Sequence, residues 1–200
     1  MKPRSYVSPI RNAAAAEKRA RVVKVAGRLL DGKAGISSFS LERVAKAAGV
    51  TRLTVYKQFG SRRELLEAVF DDRARHGGLG RIAGAMSMAD PRAGLDRLIE
   101  IFCDFWGGDK AVGRLHAAAA IDPELSEAIA ERNERRRKAI GALVGRILDG
   151  KAEHPASRQD AVDLVFALTS YAVFELLRAG RSNSEVCALV KSACTAALRR

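Results

Sequence analysis

Residues 39–65 read FSLERVAKAAGVTRLTVYKQFGSRREL and have the pattern of two short helices joined by a tight turn. Ser40 and Thr51 are of the residue type that caps a helix by accepting a hydrogen bond from a free backbone N–H of its first turn. Gly49 permits the positive φ that the turn between the helices requires, and Gly60 ends the second helix. The stretch predicts a helix-turn-helix arrangement, which presents one helix to the major groove of DNA.

The second helix of this pair has one apolar side. Val55 and Phe59 lie four residues apart and therefore point together toward the interior. The other residues of this helix are left to face outward or sideways. From this pattern we predict DNA contacts by nine residues of the region: Ser40, Thr51, Arg52, Leu53, Thr54, Tyr56, Lys57, Gln58 and Arg62.

These side chains suit different parts of DNA. The guanidinium of Arg52 can bind O6 and N7 of guanine together, which makes Arg52 the candidate for reading a base. Leu53 and Thr54 are candidates for contact with a thymine methyl group, and Gln58 suits either a base or a phosphate. Tyr56 is alternatively a packing residue at the edge of the domain. Hydroxyl and basic side chains suit phosphate, and these are Thr51, Thr54, Tyr56, Lys57 and Arg62.

The positive charge of the chain is concentrated around this stretch. The 200 residues carry a formal net charge of +12. Residues 1–75 contain 17 Lys and Arg against 7 Asp and Glu, a net charge of +10, whereas residues 76–200 contain 18 against 16. A basic end on a nearly neutral body is the electrostatic pattern of a DNA-binding head.

Three motifs in this region resemble the TetR family of bacterial transcriptional regulators. They are the A-x-x-A-G-V turn at 45–50, the T-V-Y-x-x-F helix at 54–59 and the S-R-x-E-L-L continuation at 61–66. The resemblance covers about residues 12–75. Arg62 stands where the family usually has lysine, and the positive charge is kept.

The resemblance implies a homodimer that binds a palindromic operator in double-stranded DNA. It also implies a small-molecule effector that binds in the C-terminal domain and releases the DNA. Most relatives are repressors, and an activator or a corepressor-dependent regulator is the alternative within the same fold.

Helix signals run through the whole chain, and no stretch has the alternation of a β-strand. The expected fold class is all-α, with an N-terminal three-helix helix-turn-helix DNA-binding domain and a C-terminal helical ligand-binding and dimerisation domain. We place a disordered basic arm at 1–10, the helix-turn-helix domain at 11–60, a connecting fourth helix with its linker at 61–79, and the C-terminal domain at 80–200. Arg4 and Arg11 either reach DNA or belong to a solvated tail.

Two helices are predicted near the C-terminus, at 157–179 and 183–198. The first has two apolar stripes and must therefore bury two faces. One face packs on its own domain, and the other requires a partner. A second copy of the same two helices supplies one, and the family resemblance implies this same homodimer, joined as a four-helix bundle.

Seven residues of the C-terminal domain place aromatic or polar groups near otherwise apolar helix faces, the mixture found in ligand cavities. They are Phe102, Cys103, Trp106, His116, Asn133, Tyr171 and Glu175. We predict that they line the effector site, and the alternative for each is an ordinary core or surface position. The run R-R-R-K at 135–138 is predicted to be a solvated helix face, because acidic residues precede it at ion-pair spacing.

The sequence contains few features that are typical of an enzyme. Cys103 and His116 are a conceivable nucleophile and base. However, the chain has no glycine-rich phosphate loop, nucleophile elbow or metal-spaced His and Cys cluster. We therefore predict no catalysis, no cofactor and no metal site. A DNA-packaging protein without sequence preference is a further alternative.

The cysteines and the hydropathy of the chain indicate the cellular compartment of the protein. Its three cysteines, at 103, 187 and 194, include no C-x-x-C pair, which argues against a disulfide framework. The most apolar stretch, 164–177, has 14 residues and is too short to span a bilayer. The start of the chain lacks the apolar run of a signal peptide, so a cytoplasmic protein with no membrane partner is expected.

Overall fold

The computed structural model describes residues 9–32, 35–149 and 155–199, and the regular structure in these ranges is entirely helical. The prediction of an all-α fold is confirmed. Short 3-10 helices lie at Gly35–Ser38 and Leu79–Arg81. The α-helices are α1 (Pro9–Asp31), α2 (Leu41–Ala48), α3 (Arg52–Phe59), α4 (Arg62–His76), α5 (Ile82–Met86), α6 (Pro91–Gly108), α7 (Lys110–Ala118), α8 (Pro123–Leu148), α9 (Pro155–Leu168), α10 (Tyr171–Leu177) and α11 (Asn183–Ala197). Among the helices so described, none is long and apolar enough to cross a membrane.

The first helix, α1, begins earlier than the sequence predicts. Pro9 and Ile10, which the prediction assigns to the basic arm, are the first residues of α1. Proline suits this position because the first helical N–H has no intrahelical partner and the proline φ is already helical. The rest of the predicted arm, including Arg4, lies outside the described residues.

Two compact units divide the chain, one ending at Asp72 and the other beginning at Arg73. In the first unit, α2 packs against both α1 and α3. Because the inner sides of α2 and α3 are held in the core of this unit, their opposite sides face solvent. Apolar side chains from four helices form this core: Val22, Ala26, Leu30, Val44, Ala45, Val55, Phe59, Leu65, Leu66 and Val69.

The second unit is built around α6. This helix packs against α5, α8 and α11, and α9 packs in turn against α8 and α11. Leu98, Ile99 and Ile101 of α6 are almost completely buried in the shared core. Asp90 caps α6 by accepting from the backbone N–H of Arg92 at 2.8 Å, and Pro91 occupies the first helical position.

The continuous helix predicted at 157–179 is wrong, because the chain breaks between α9 and α10 at Thr169 and Ser170. Ser170 leaves the helical conformation (φ −75°, ψ 155°) and its hydroxyl accepts from the backbone N–H of Val173 at 3.3 Å. The Thr169 hydroxyl donates to the carbonyl oxygen of Val165 at 2.8 Å. Hydroxyl side chains compete with the helix for backbone partners in this way, and apolar periodicity does not register the competition.

The short helix α5 is absent from the sequence prediction, and one long-range side chain holds the turn after it. Arg146 of α8 donates to the carbonyl oxygens of Met86 at 3.0 Å, Met88 at 2.7 Å and Ala89 at 3.2 Å. These carbonyls lie at and beyond the end of α5, where a helix leaves acceptors unsatisfied. A single guanidinium therefore supplies the C-terminal partners that the local sequence lacks.

Candidate DNA-binding and effector sites

The predicted caps of the helix-turn-helix are present in the structure. Ser40 has extended backbone angles, and its hydroxyl accepts from the N–H of Arg43 at 3.2 Å. Thr51 does the same for Thr54 at 3.1 Å. Gly49 has φ 66° and ψ 37°, the left-handed conformation that the turn requires. Local sequence therefore fixes where α2 ends and where α3 begins.

The outer side of α3 carries most of the side chains predicted to meet DNA. Arg52, Leu53, Tyr56 and Lys57 are exposed, whereas Val55 and Phe59 are buried. Leu53 and Tyr56 keep 59% and 58% of their surface exposed, so the outer side of α3 presents an aliphatic and an aromatic side chain to solvent beside its basic groups.

The remaining predicted DNA contacts include hydroxyl and amide groups. The Thr51 and Thr54 hydroxyls lie 2.8 Å apart and share a hydrogen bond. Ser40 is half-buried and serves as a cap. Gln58 is also half-buried, and its side-chain oxygen is buried without a hydrogen-bond partner among the described residues. This end of Gln58 is therefore turned away from solvent.

Two arginines hold α3 and the loop before α2 in place. Arg19 of α1 donates from Nη1 to the carbonyl oxygen of Gln58 at 2.9 Å, and its guanidinium lies 4.2 Å from the ring centre of Phe59. Arg62 donates from Nε to the carbonyl oxygen of Phe39 at 3.2 Å and lies 5.5 Å over that ring. The sequence predicts that Arg62 binds a phosphate, and the structure adds this internal contact. Arg19 was missed, because an arginine on a polar helix face gives no sequence signal.

In the second unit, an aromatic cluster forms around Trp106. Its ring centre lies 6.2 Å from that of Phe102, 5.5 Å from that of His116 and 5.8 Å from that of Tyr171. His116 and Tyr171 stack on each other at 4.7 Å. The indole N–H of Trp106 donates to the carbonyl oxygen of Thr169 at 3.0 Å. Four of the seven predicted effector residues, from α6, α7 and α10, are thus brought together.

A close approach of two helices gives Tyr171 its position. A Cβ atom at Gly113 of α7 would collide with the Tyr171 hydroxyl, so this glycine allows the ring to lie against α7. The hydroxyl donates to the Glu175 carboxylate at 3.1 Å, and Arg178 also donates to that carboxylate at 3.3 Å. Glu175, a fifth predicted residue, is therefore placed at the exposed edge of the cluster.

The inner end of the cluster is a buried arginine that the sequence analysis missed. Arg136 of α8 keeps only 8% of its surface exposed. Its Nη1 donates to the carbonyl oxygen of Phe166 and to the hydroxyl of Thr169, both at 2.8 Å. Its Nη2 lies 3.5 Å from Oδ1 of Asn133, a sixth predicted residue. The guanidinium also lies 4.0 Å over the ring of Phe166 and 5.8 Å from that of Phe102.

The run 135–138 is therefore not a uniformly solvated helix face. Arg135 and Lys138 are exposed, but Arg136 points into the domain and Arg137 lies between these extremes. Arg137 pairs with Asp163 of α9 and stacks on Phe166 at 4.2 Å. Charge spacing along one helix cannot reveal these contacts, because their partners belong to another helix.

Burial of the cluster changes the protonation of its members. Burial, followed by the positive charge of Arg136, lowers the pKa of His116 from 6.5 to about 4. The pKa of Arg136 is lowered to about 10 by burial and by neighbouring Arg137. At neutral pH, His116 is therefore uncharged and Arg136 is the cation of the cluster.

Cys103 lies apart from the aromatic cluster, on the side of α6 that meets α11. Burial, followed by interactions with Cys187 of α11, raises the pKa of the Cys103 thiol above its usual range. Cys103, Cys187 and Cys194 are all free. A buried, protonated thiol behaves as a small apolar group. The structure therefore places Cys103 with the core and not with the other predicted effector residues.

An open cleft of about 770 Å³ lies between α6 and α11, and no predicted effector residue lines it. Its walls include Glu100 and Lys191, whose charged groups pair at 2.6 Å. The hydrogen bond from Lys191 is the main reason that the pKa of Glu100 is lowered. Glu100 and Lys191 of this cleft thus neutralise each other. In the described ranges no group of three or more His, Cys, Asp or Glu side chains is placed to hold a metal ion.

The first unit, with its exposed basic helix after a capped turn, defines a regulatory protein with an N-terminal helix-turn-helix domain. Residues 25–69 match the family model of the bacterial regulatory proteins of the tetR family. The first unit therefore contains the helix-turn-helix region of a tetR-family regulator, as its motifs predict.

One curated relative and two solved structures illustrate the similarity. The HTH-type transcriptional regulator EthR of Mycolicibacterium smegmatis is 32% identical over 113 residues, which are 56% of this chain and 52% of that protein. The chain thus matches about half the length of this relative.

The solved structures are similar in fold over most of the chain. NalD of Pseudomonas aeruginosa, the secondary repressor of the MexAB-OprM multidrug efflux pump, has a TM-score of 0.66 and 21% identity and covers 92% of this chain and 96% of its own. The Bacillus subtilis transcriptional regulator FadR, in complex with stearoyl-CoA, has a TM-score of 0.65 and 16% identity and covers 90% and 97%.

Proposed function

We propose that the protein is a ligand-responsive transcriptional repressor that acts in the cytoplasm. It binds a palindromic operator as a homodimer and leaves the DNA when a small molecule binds in the second unit. The exposed outer side of α3, on the end of the chain that carries most of the positive charge, is the observation that carries this proposal. An activator or a corepressor-dependent regulator of the same fold is the alternative. Because the family consists of regulators, no catalytic role is assigned.

The arrangement of α3 supports separate roles for its side chains. Arg52 is exposed at the first position of α3, where a recognition helix meets base edges. Lys57 is exposed in its last turn and suits the phosphate backbone. Arg19 and Arg62 restrain α3 and its surroundings, so that these side chains are presented in a fixed orientation.

The homodimer is proposed to form through α9 to α11, the helices that occupy the two predicted C-terminal segments. Leu164 of α9 and Leu189 of α11 remain 45% and 41% exposed although α9 and α11 pack on each other. Ala167 on α9 and Ala188 on α11 are also exposed, and their small side chains permit the close approach of a partner. A second copy of the same surface covers it with two-fold symmetry. Two heads related by this symmetry require two half-sites related as a palindrome.

The effector is proposed to bind at the aromatic cluster around Trp106. Aromatic rings together with a few polar groups are typical of ligand sites. His116 and Tyr171 are half-exposed while Phe102 and Arg136 are buried, so the cluster extends from the surface into the domain.

Selection of bound sequences from a random pool of duplex DNA tests the proposal. The purified protein should enrich a palindromic sequence, and each duplex of that sequence should bind two protomers. Enrichment of sequences without two-fold symmetry contradicts the homodimeric operator. Equal binding of scrambled duplexes indicates the alternative of a DNA-packaging protein without sequence preference.

A further inference from the structure

Arg136 is a buried cation, and no acidic side chain among the described residues pairs with it. Only 8% of its surface is exposed to solvent. Within the described ranges, its hydrogen bonds go only to a carbonyl, a hydroxyl and an amide oxygen. Neighbouring Arg137, by contrast, pairs with Asp163. Buried charges in proteins are normally paired, because an unpaired one has lost its hydration without compensation.

The end of α9 balances part of this charge. The carbonyl of Phe166 lies in the last turn of α9, where the helix carries a partial negative charge. This charge amounts to about half of one elementary charge and is spread over several carbonyls. The contact therefore orients the guanidinium and leaves it with a net positive charge.

The hydrogen bonds of Arg136 leave one edge of its guanidinium open. Nη1 has two acceptors at 2.8 Å. On the opposite edge, Nη2 has only Asn133 Oδ1 at 3.5 Å, and Nε is buried with no partner among the described residues. The N–H groups of Nε and Nη2 are parallel and match the two oxygens of a carboxylate. The open edge is thus the edge that binds a carboxylate bidentately.

The guanidinium of Arg136 lies among aromatic rings. Phe102 and Phe166 lie on the guanidinium, and Trp106 shares its acceptor residue Thr169. A free inorganic anion gains little from such rings, whereas a molecule with an apolar body buries its surface against them. A cationic molecule is repelled by Arg136.

From these contacts we propose that the effector is an organic carboxylate with an apolar body, bound through its two oxygens to Nε and Nη2 of Arg136. The inference rests on the proposed role of the second unit as an effector domain. It names the chemical class of the effector and the side chain that selects it.

The same contact offers a route from the ligand to the dimer surface. Arg136 donates to Phe166 and Thr169, which form the end of α9 and the break after it. A carboxylate that draws the guanidinium toward its open edge changes the bonds that hold the end of α9. Leu164 of the proposed dimer surface lies on the same helix.

Binding to the full-length protein can be measured without DNA, because Trp106 is the single tryptophan of the chain and lies in the cluster. Two sets of three probe molecules are used. Within each set, the molecules have the same apolar body and differ in the charge of their polar group. The first is benzoate, benzamide and benzylammonium, and the second is octanoate, octanamide and octylammonium. Trp106 fluorescence and the melting temperature are recorded at constant ionic strength for each probe. In at least one set, the carboxylate should bind at least about tenfold more tightly than its neutral and cationic analogues.

Two arginine variants locate the binding site. R136Q removes the proposed partner and keeps a side-chain donor for Thr169. R137Q is the matched control, since it removes the same charge from the next residue, which is paired with Asp163. R136Q should weaken carboxylate binding by about 30-fold or more, as expected when one partner of a buried charge pair is removed. R137Q should change it by less than about threefold.

The inference is overturned by equal or tighter binding of the amides or amines, by no binding of either carboxylate, or by an unchanged affinity of R136Q. The comparison of probes uses the unmodified protein, so it decides the matter even where R136Q does not fold. None of these results depends on DNA. A protein that selects a palindrome but prefers the cationic probes retains the proposed function and refutes only the carboxylate. A protein that binds the carboxylates but selects no operator refutes the repressor and not the site.

Discussion

The indole N–H of Trp106 on α6 donates to the carbonyl oxygen of Thr169, 3.0 Å away, at the break between α9 and α10. The hydroxyl of the same threonine accepts from Arg136 of α8. Thr169 therefore joins α6 and α8 to the end of α9, and it is itself 4% exposed. A helix end that is buried needs such partners for its carbonyls. The interruption between α9 and α10 therefore lies at the proposed effector site.

Replacing Thr169 tests the importance of its hydroxyl. Thr169→Val keeps the shape of the side chain but removes the acceptor of Arg136, and we expect it to lower the free energy of unfolding by about 2 kcal/mol, the range for a hydrogen bond to a charged group. Thr169→Ser keeps the hydroxyl and should cost less than about 1 kcal/mol. Urea unfolding followed by circular dichroism measures both. Equal stability of the two variants would show that the hydroxyl contributes nothing.

The two proposed kinds of DNA contact are separable by salt titration. Arg52→Ala should reduce the preference for the selected operator over a scrambled duplex, because a base contact is lost. Lys57→Ala should weaken binding to both duplexes about equally and reduce the dependence of log affinity on log salt by about one unit. Fluorescence anisotropy at several salt concentrations provides the values. The assignment fails if both variants bind both duplexes as the unmodified protein does.

Protonation of His116 should make the second unit less stable in acid. The unfolded chain takes up the proton near pH 6.5, whereas burial and Arg136 delay uptake in the folded state to about pH 4. The contribution of neutral His116 is therefore fully present above pH 6.5 and is lost as the pH falls from 6.5 toward 4. Because the ring is partly exposed, we expect a loss of about 1–2 kcal/mol.

His116→Gln is the control for this pH dependence, since glutamine does not titrate. The difference in unfolding free energy between the two proteins should shift against the unmodified protein on going from neutral pH to about pH 4.5. A difference that is independent of pH would mean that His116 protonates equally in the folded and unfolded states.

Gly49 and Gly141 should respond oppositely to the same substitution. Gly49 has φ 66°, and no atom lies within 4 Å of the position that a Cβ would occupy. The cost of Gly49→Ala is therefore conformational and amounts to about 1–2 kcal/mol. Gly141 lies within α8, also with open space around it, and Gly141→Ala should stabilise the protein by about 0.5–1 kcal/mol. Thermal unfolding compares them, and a stabilised Gly49→Ala variant would contradict the left-handed turn.

Charge on the proposed dimer surface should separate the protomers. Leu164→Glu combined with Leu189→Glu places carboxylates on an interface that is otherwise apolar, and we expect a monomer in sedimentation velocity. Ile121→Glu is a matched control, because Ile121 is 73% exposed and lies in the turn after α7, outside the helices α9 to α11. A dimer that persists in the double variant, with unchanged circular dichroism, would place the interface elsewhere.

The helix-turn-helix could be predicted in detail because its determinants are local. Ser40 and Thr51 cap helices through bonds to residues three positions ahead, and Gly49 adopts the conformation that its missing Cβ allows. Such contacts involve neighbours in the chain and can be read in order. Arg19 escaped prediction because its partner, the carbonyl of Gln58, lies on another helix.

The proposed effector site could be predicted only as a set of residue types. Phe102, Trp106, His116 and Tyr171 were named from their chemistry, and packing brought them together while turning Cys103 toward α11. The sequence places Arg136 in a charged run that resembles a solvated face. Its burial depends on Phe166 and Thr169, about thirty residues further along the chain.

The sequence by itself therefore determined the helical fold, the capped turn and the outward side of α3, since each rests on propensities and bonds within a few residues. The same local motifs carry the resemblance to the TetR family. The tertiary structure alone decided that α9 ends at Leu168, that Thr169 joins three helices and that Arg136 is a buried cation with an open edge. The physical reason is that burial and hydrogen-bond satisfaction are properties of side chains distant in sequence. They become defined only when the helices pack.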